Sequence, residues 1–235
     1  MHPRAYLFDY GGTLDGEGWH WFDRTLHLYR QAGSKLPEPT IKEAFYAADE
    51  RISAEAAARG YRLRPLIERH VELQMARLDD SARSLAPTIV EGFCKMTEEG
   101  WERSRQALGR LRETARLGVV SNFYGNLEVL LEESGLLALL DTVIESARVG
   151  IAKPDARIYR LAAERLRVPP GDIVMVGDNF ERDVRPAKEI GMRTVWLRRG
   201  SSPPPEQGIA DRVVKTLDEI VSSSPWPSPQ GGVGR

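Results

Sequence analysis

From residue 101 onward the chain alternates short apolar runs with stretches of helical period, and few folds satisfy that rhythm. Residues 4–9, 117–121, 172–177 and 193–197 read Arg-Ala-Tyr-Leu-Phe-Asp, Leu-Gly-Val-Val-Ser, Asp-Ile-Val-Met-Val-Gly and Arg-Thr-Val-Trp-Leu. All but the first carry β-branched residues, as strands buried on both faces do. A weaker fifth run, residues 142–145, lies in the chain between the second and third. Residues 101–116 place Leu108, Leu111 and Ala115 at helical spacing, and residues 155–167 put Ile158, Leu161, Ala162 and Leu166 on one face. Residues 127–134 and 181–190 are helical runs that stop at Gly135 and Gly191. Such alternation predicts an α/β fold, a doubly wound parallel sheet covered by helices.

Residues 17–100 break the rhythm. They show helical periods, such as Phe22/Leu26/Tyr29 and Leu66/His70/Leu73/Arg77, and no convincing strand. Breaks at 33–39, 60–65 and 79–87 divide them into about four helices. The expected organisation is an α/β core from residues 1–16 and 101–221, with a helical cap, residues 17–100, inserted over the carboxyl edge of the sheet. Residues 222–235, rich in Ser, Pro and Gly, read as a disordered tail, and residues 201–205 as a surface loop.

At 41% apolar residues the chain can bury a core, and a net charge of −1 exerts no general pull on nucleic acid or an anionic membrane. A single cysteine, Cys94, allows no internal disulfide and reads as a packing residue. No leading cleavable segment and no membrane-length apolar run is evident, so the expected setting is cytoplasmic, with no membrane partner. The sequence leaves monomer and dimer equally open.

Four polar sites fall just after strand ends or in the loop before a helix. They are Asp9, Ser121-Asn122, Lys153 before Pro154, and Asp178-Asn179 with Asp183 five residues after Asp178. In a doubly wound sheet such loops converge on one crevice. Together they offer a carboxylate nucleophile, hydroxyl and amide donors, a cation, and carboxylates for a metal. That set suits phosphoryl transfer, where catalysis is mostly positioning and charge neutralisation.

At these residues the chain resembles the haloacid dehalogenase (HAD) superfamily of hydrolases, in its branch with a helical cap. Phe8-Asp9-Tyr10-Gly11-Gly12-Thr13-Leu14 is similar to the first motif, and Val119-Val120-Ser121-Asn122 to the second. The segment from Ile151 to Tyr159, with Lys153, resembles the third; Val176 to Val184, with Asp178 and Asp183, resembles the fourth. The resemblance implies Asp9 as the nucleophile, forming an aspartyl intermediate, and Lys153 as the cation between nucleophile and phosphate. It implies Ser121, Asn122 and Lys153 as phosphate-binding residues. It also implies Mg²⁺ held by Asp9, the main-chain carbonyl of Gly11, Asp178 and Asp183, and a small phosphorylated metabolite as substrate.

One position departs from the pattern. Family phosphatases carry an aspartate two residues after the nucleophile, which protonates the leaving alcohol; here Gly11 stands there. General acid–base catalysis is typically worth ~10²–10⁴ in rate. Three readings remain. One is a phosphatase acting on esters with a good leaving group, with low activity on ordinary alkyl phosphates. The second is a dehalogenase- or phosphonatase-type hydrolase. The third is a catalytically impaired member that binds a phosphorylated ligand or a partner. His20 or His27 could replace the missing acid. Trp19, His20, Trp21 and Phe22 either wall the crevice or fill the core. Arg59, Arg62, Arg64 and Arg69 with Tyr61 either grip an anionic group or form a solvated face.

Overall fold

In the computed structural model, which describes residues 3–199 and 208–222, every run predicted as a strand forms one. Strand β1 (Ala5–Phe8) leads into helices α1 (Trp21–Gln31), α2 (Glu38–Arg59), α3 (Leu63–Met75), the single turn α4 (Asp80–Arg83) and α5 (Ala86–Arg112). Then come β2 (Arg116–Ser121), α6 (Leu127–Glu133), β3 (Thr142–Glu145) and the single turn α7 (Ser146–Val149). They are followed by α8 (Ala156–Leu166), β4 (Ile173–Gly177), α9 (Arg185–Glu189), β5 (Arg193–Leu197), β6 (Arg212–Val214) and α10 (Asp218–Ser222).

All strand pairs are parallel, in the order β3-β2-β1-β4-β5-β6. β2 lies on one side of β1 and β4 on the other. The strand order therefore reverses at β1, and the carboxyl ends of β1, β2 and β4 flank that reversal, where open α/β sheets bind ligands. Successive residues of each strand point to opposite faces. Ala5 and Leu7 enter one apolar cluster with Met175, Ile144 and the Ile158, Ala162 and Leu166 face of α8. Tyr6 and Phe8 enter another, which continues through Val119, Val176 and Val195 into the helical insert at Leu28, Phe45 and Phe93.

Helix α5 ties the insert to the sheet. The sequence predicts a helix starting at 101, but α5 begins at Ala86, with Pro87 in its first turn, and runs unbroken through Gly100. Insert and core thus share one helix. Gly100 is needed at the crossing, because a Cβ there would lie 2.4 Å from the carbonyl oxygen of Asp15. Asp15 also pairs with Arg24 of α1 at 2.8 Å, both side chains being almost fully buried.

The short β6 and α10 have no counterpart in the sequence reading. Three strand residues and five helical ones are too few to show a period. The stretch predicted as a helix from 181 opens as a wide π-type turn, Phe180–Val184, before α9. The loop expected at 201–205 lies outside the described residues, as does the tail expected at 222–235 except for Ser222, which instead closes α10. Among the described residues no helix is long and apolar enough to cross a membrane.

Candidate active site

The site begins where β1 ends. Asp9 keeps the ladder one step further, its N–H donating to the Val176 carbonyl at 2.9 Å. The chain then turns sharply at Gly12, whose φ is +87° and whose N–H donates to Asp15 Oδ1 at 2.6 Å. A Cβ at Gly12 would sit 2.4 Å from Asp178 Oδ2, so glycine is what lets this loop and the loop after β4 meet.

Three loops close on Asp9. Its Oδ1 accepts hydrogen bonds from Ser121 Oγ at 2.8 Å and from Lys153 Nζ at 2.6 Å. The same ammonium donates to Asp183 Oδ1 at 2.6 Å. Asp183 Oδ2 accepts from the Asn179 N–H at 3.0 Å, which anchors the turn after β4. Asn122 fixes the lysine loop from below. Its side chain donates to the Lys153 carbonyl at 3.0 Å and accepts from the Lys153 N–H at 2.8 Å. Asp178 receives the Thr13 hydroxyl at 3.4 Å, and its carbonyl accepts from Trp196 Nε1 at 2.8 Å.

Charge is unevenly matched. Burial by itself would lower the Lys153 ammonium, yet Asp183 and Asp9 push it above the usual lysine range. Burial, opposed by Lys153 and reinforced by Asp9, lifts Asp183 to about 6. Asp178 is raised well above an ordinary carboxyl, by burial and by its proximity to Asp9 and Asp183. Oxygens of Asp9, Asp178 and Asp183 lie within 4.8 Å of one another. Hard oxygen donors so placed, with too little positive charge beside them, fit a divalent cation.

A cavity of about 270 Å³ opens over this group. It brings together Asp9, Gly11, Ser121, Asn122, Lys153, Asp178 and Asp183, all of which the sequence singles out. Of the aromatic quartet, His20 and Trp21 line it, whereas Phe22 packs on Phe45 and Trp19 on His27. His20 Nδ1 accepts from the Phe22 N–H at 3.2 Å, capping α1, and burial first, then Arg24 and Arg182, lower its pKa against Asp23 and Asp9. His27 does not reach the cavity.

The cavity also holds residues that sequence reasoning misses: Phe45, Tyr46, Asp49, Phe123, Tyr124 and Arg182. One signal could have found Asp49. It interrupts the apolar face of α2 formed by Phe45, Ala48 and Ile52, where a carboxylate is out of place. Two arginines of the insert's basic stretch are engaged away from the cavity. Arg64 pairs with Glu91 and Arg69 with Glu55 and Glu72, each at 2.8 Å, and neither lines the cavity. Cys94 is buried away from the cavity, and burial pushes its thiol up to about 11, consistent with a packing residue.

Comparison with known proteins agrees with this architecture. A family model described as haloacid dehalogenase-like hydrolase matches residues 3–191. The haloacid dehalogenase-like hydrolase domain-containing protein 3 of Danio rerio is 32% identical over 141 residues, 58% of this chain and 57% of that protein. Phosphoserine phosphatase of Thermus thermophilus is 40% identical over 87 residues, 37% of this chain and 35% of that one. These matches thus span about a third to a little over half of the relatives' own lengths. Among solved structures, the L-2-haloacid dehalogenase RSc1362 superposes with a TM-score of 0.61, covering 94% of this chain and 98% of that one at 21% identity. At that identity the likeness is one of fold.

Proposed function

Because the chain belongs to the haloacid dehalogenase-like hydrolase family, we propose that it is a Mg²⁺-dependent phosphatase of small phosphorylated metabolites, working through an aspartyl-phosphate on Asp9. The observation that carries the reading is the convergence of Ser121, Lys153 and Asp183 on Asp9, with Asp178 beside them. Asp9, Asp178 and Asp183, with the Gly11 carbonyl, would hold the cation. When bound it supplies the positive charge that lets a phosphate dianion approach a carboxylate.

The chain's own groups then divide the work. Ser121 and Lys153 hold two of the phosphate oxygens, and Lys153 offsets their charge as Asp9 attacks phosphorus. The bond from phosphorus to the ester oxygen breaks, and its electron pair leaves with that oxygen. Water next attacks the phosphorus of the acyl phosphate, which returns the Asp9 carboxylate and frees inorganic phosphate. Asn122 contributes through Lys153, since its amide is engaged with that residue's main chain.

Gly11 offers no proton to the departing oxygen. The reading therefore favours aryl, acyl or anhydride phosphates, whose leaving groups are stable as anions. The test is phosphate release with and without Mg²⁺ from p-nitrophenyl phosphate, acetyl phosphate and a sugar phosphate. Mg²⁺-dependent release, faster on the first two than on the third, is expected. No release from any of them removes the phosphatase reading.

A further inference from the structure

The half of the cavity furthest from the sheet has a chemistry of its own. Phe45, Tyr46 and Asp49 of α2 face the loop after β2, which brings Phe123 and Tyr124. Asp49 is held from two sides. Its Oδ1 accepts the Tyr124 hydroxyl and lies 3.7 Å from His70 Nε2. His70 is fixed in turn by Gln74 at 2.8 Å, and Gln74 by the Tyr29 hydroxyl at 3.1 Å, through the interior of the insert. Asp49 Oδ2 has no partner among the described residues, the side chain is 36% exposed, and the residue lines the cavity beside the rings of Phe45, Tyr46, Phe123 and Tyr124.

Resting on the phosphatase reading, we infer that Asp49 selects the organic half of the substrate, admitting phosphate esters that carry a nitrogen-bound hydrogen-bond donor. The phosphate end is fixed at Ser121 and Lys153, so what remains of the substrate extends toward α2. There it meets a carboxylate oxygen free to accept, and aromatic faces suited to a cation or a flat ring. Burial favours the neutral form of Asp49, but the nearby His70 ring and the Tyr124 hydroxyl outweigh it and hold the group below its ordinary range. An ionised acceptor repels an anionic tail, welcomes an N–H donor, and gains less from a hydroxyl. Arg182, also in the lining, lies on the exposed side.

Two donors share this chemistry, an alkylammonium and the amino group of a nucleobase, and matched pairs of esters separate them. One pair is 2-aminoethyl phosphate against 2-hydroxyethyl phosphate; the other is cytidine 5′-monophosphate against ribose 5-phosphate. In at least one pair the donor-bearing ester should show kcat/KM about tenfold higher, expressed mostly in KM, and the pair that does so names the source. Asp49→Asn, isosteric and able to keep the Tyr124 bond, should shrink that ratio to about twofold or less. No preference in either pair, or a preference that survives Asp49→Asn, overturns the inference. Should p-nitrophenyl phosphate and these esters all resist hydrolysis, the phosphatase reading is what has failed. Calorimetric binding of the same pairs to Asp9→Asn protein still decides the role of Asp49. Tighter binding of a donor-bearing ester, lost on adding Asp49→Asn, supports it; equal binding rejects it.

Discussion

Two buried ion clusters stand only a few residues apart in the chain. Asp15 and Arg24 form a matched pair. Arg24 donates to the Asp15 carboxylate at 2.8 Å, and to the Asp15 carbonyl and Thr97 Oγ1 at 3.0 Å each. The other Asp15 oxygen takes the Gly12 N–H, and Trp21 Nε1 adds a further bond. One cation meets one anion, both nearly without solvent exposure, and the result joins α1 and α5 to the loop after β1. Asp9, Asp178 and Asp183 share a single lysine and open onto a cavity. The closed pair is a fastener, and the open cluster is short of positive charge. A buried carboxylate set left undercompensated beside a cavity is where a fold accepts a cost in stability for the sake of chemistry.

The comparison breaks most sharply at the Asp9 carboxylate of the open cluster and the Arg24 cation of the closed pair. Asp9→Asn should lower phosphate release from p-nitrophenyl phosphate by about a thousandfold or more, with the circular dichroism spectrum unchanged, because it removes the attacking oxygen. Near-parent turnover would take Asp9 out of the mechanism. Arg24→Met should leave Asp15 buried and unpaired, costing about 3–5 kcal/mol of unfolding free energy in a denaturant titration. A loss below about 1 kcal/mol, the range of exposed pairs, would mean that the fastener is not needed.

The open cluster should answer to Mg²⁺ and pH together. Asp178 and Asp183 have raised values in the fold, so the native protein without metal holds protons that the unfolded chain releases near pH 4. Their contribution to stability therefore falls as pH rises from about 4 through the value of about 6 for Asp183 and beyond. A cation needs these carboxylates ionised, so its stabilisation grows over the same range. At a hundred times its dissociation constant it should add about 2.7 kcal/mol. Scanning calorimetry should give a larger Mg²⁺-induced rise in Tm near pH 7.5 than near pH 5. Equal rises would separate the metal from these two residues.

The smallest effect is expected at Gly11. Its backbone is extended, with φ of −70°, and a Cβ would meet Trp21 Nε1 at 3.7 Å, an ordinary contact. Gly11→Asp should therefore fold, and should raise turnover of an alkyl phosphate by about tenfold, short of the ~10²–10⁴ that a well-placed acid supplies. No gain would mean that the proton already comes from elsewhere in the cavity. His20 is then the residue to replace.

Much of this molecule was legible before any coordinates. Three polar stops at strand ends and a lysine in the loop before a helix were enough to predict Asp9, Ser121, Lys153 and Asp178 in one crevice, because a parallel sheet carries the loops that follow its strands to one edge. The strands themselves were readable because Val, Ile and Leu run unbroken where both faces are covered. Asp49 escaped notice because its meaning lies in a partner 75 residues away, Tyr124, and no local pattern encodes that contact. The reach of α5 was hidden for a related reason. Pro87 reads as the end of a break and Gly100 as the end of the insert, yet Gly92 and Gly100 are where Leu28 and Asp15 press against one continuous helix.

Sequence alone determined the layered α/β plan and the identity of the groups at the strand exits, since both follow from short-range periodicity and from the way parallel strands share an edge. Only the tertiary structure decided which carboxylates stay paired and closed, which face a cavity, and which residue of the insert looks down on them. Those outcomes depend on how the insert's helices pack on one another and on the sheet, set by side chains that are distant in the chain and meet only once the core is packed.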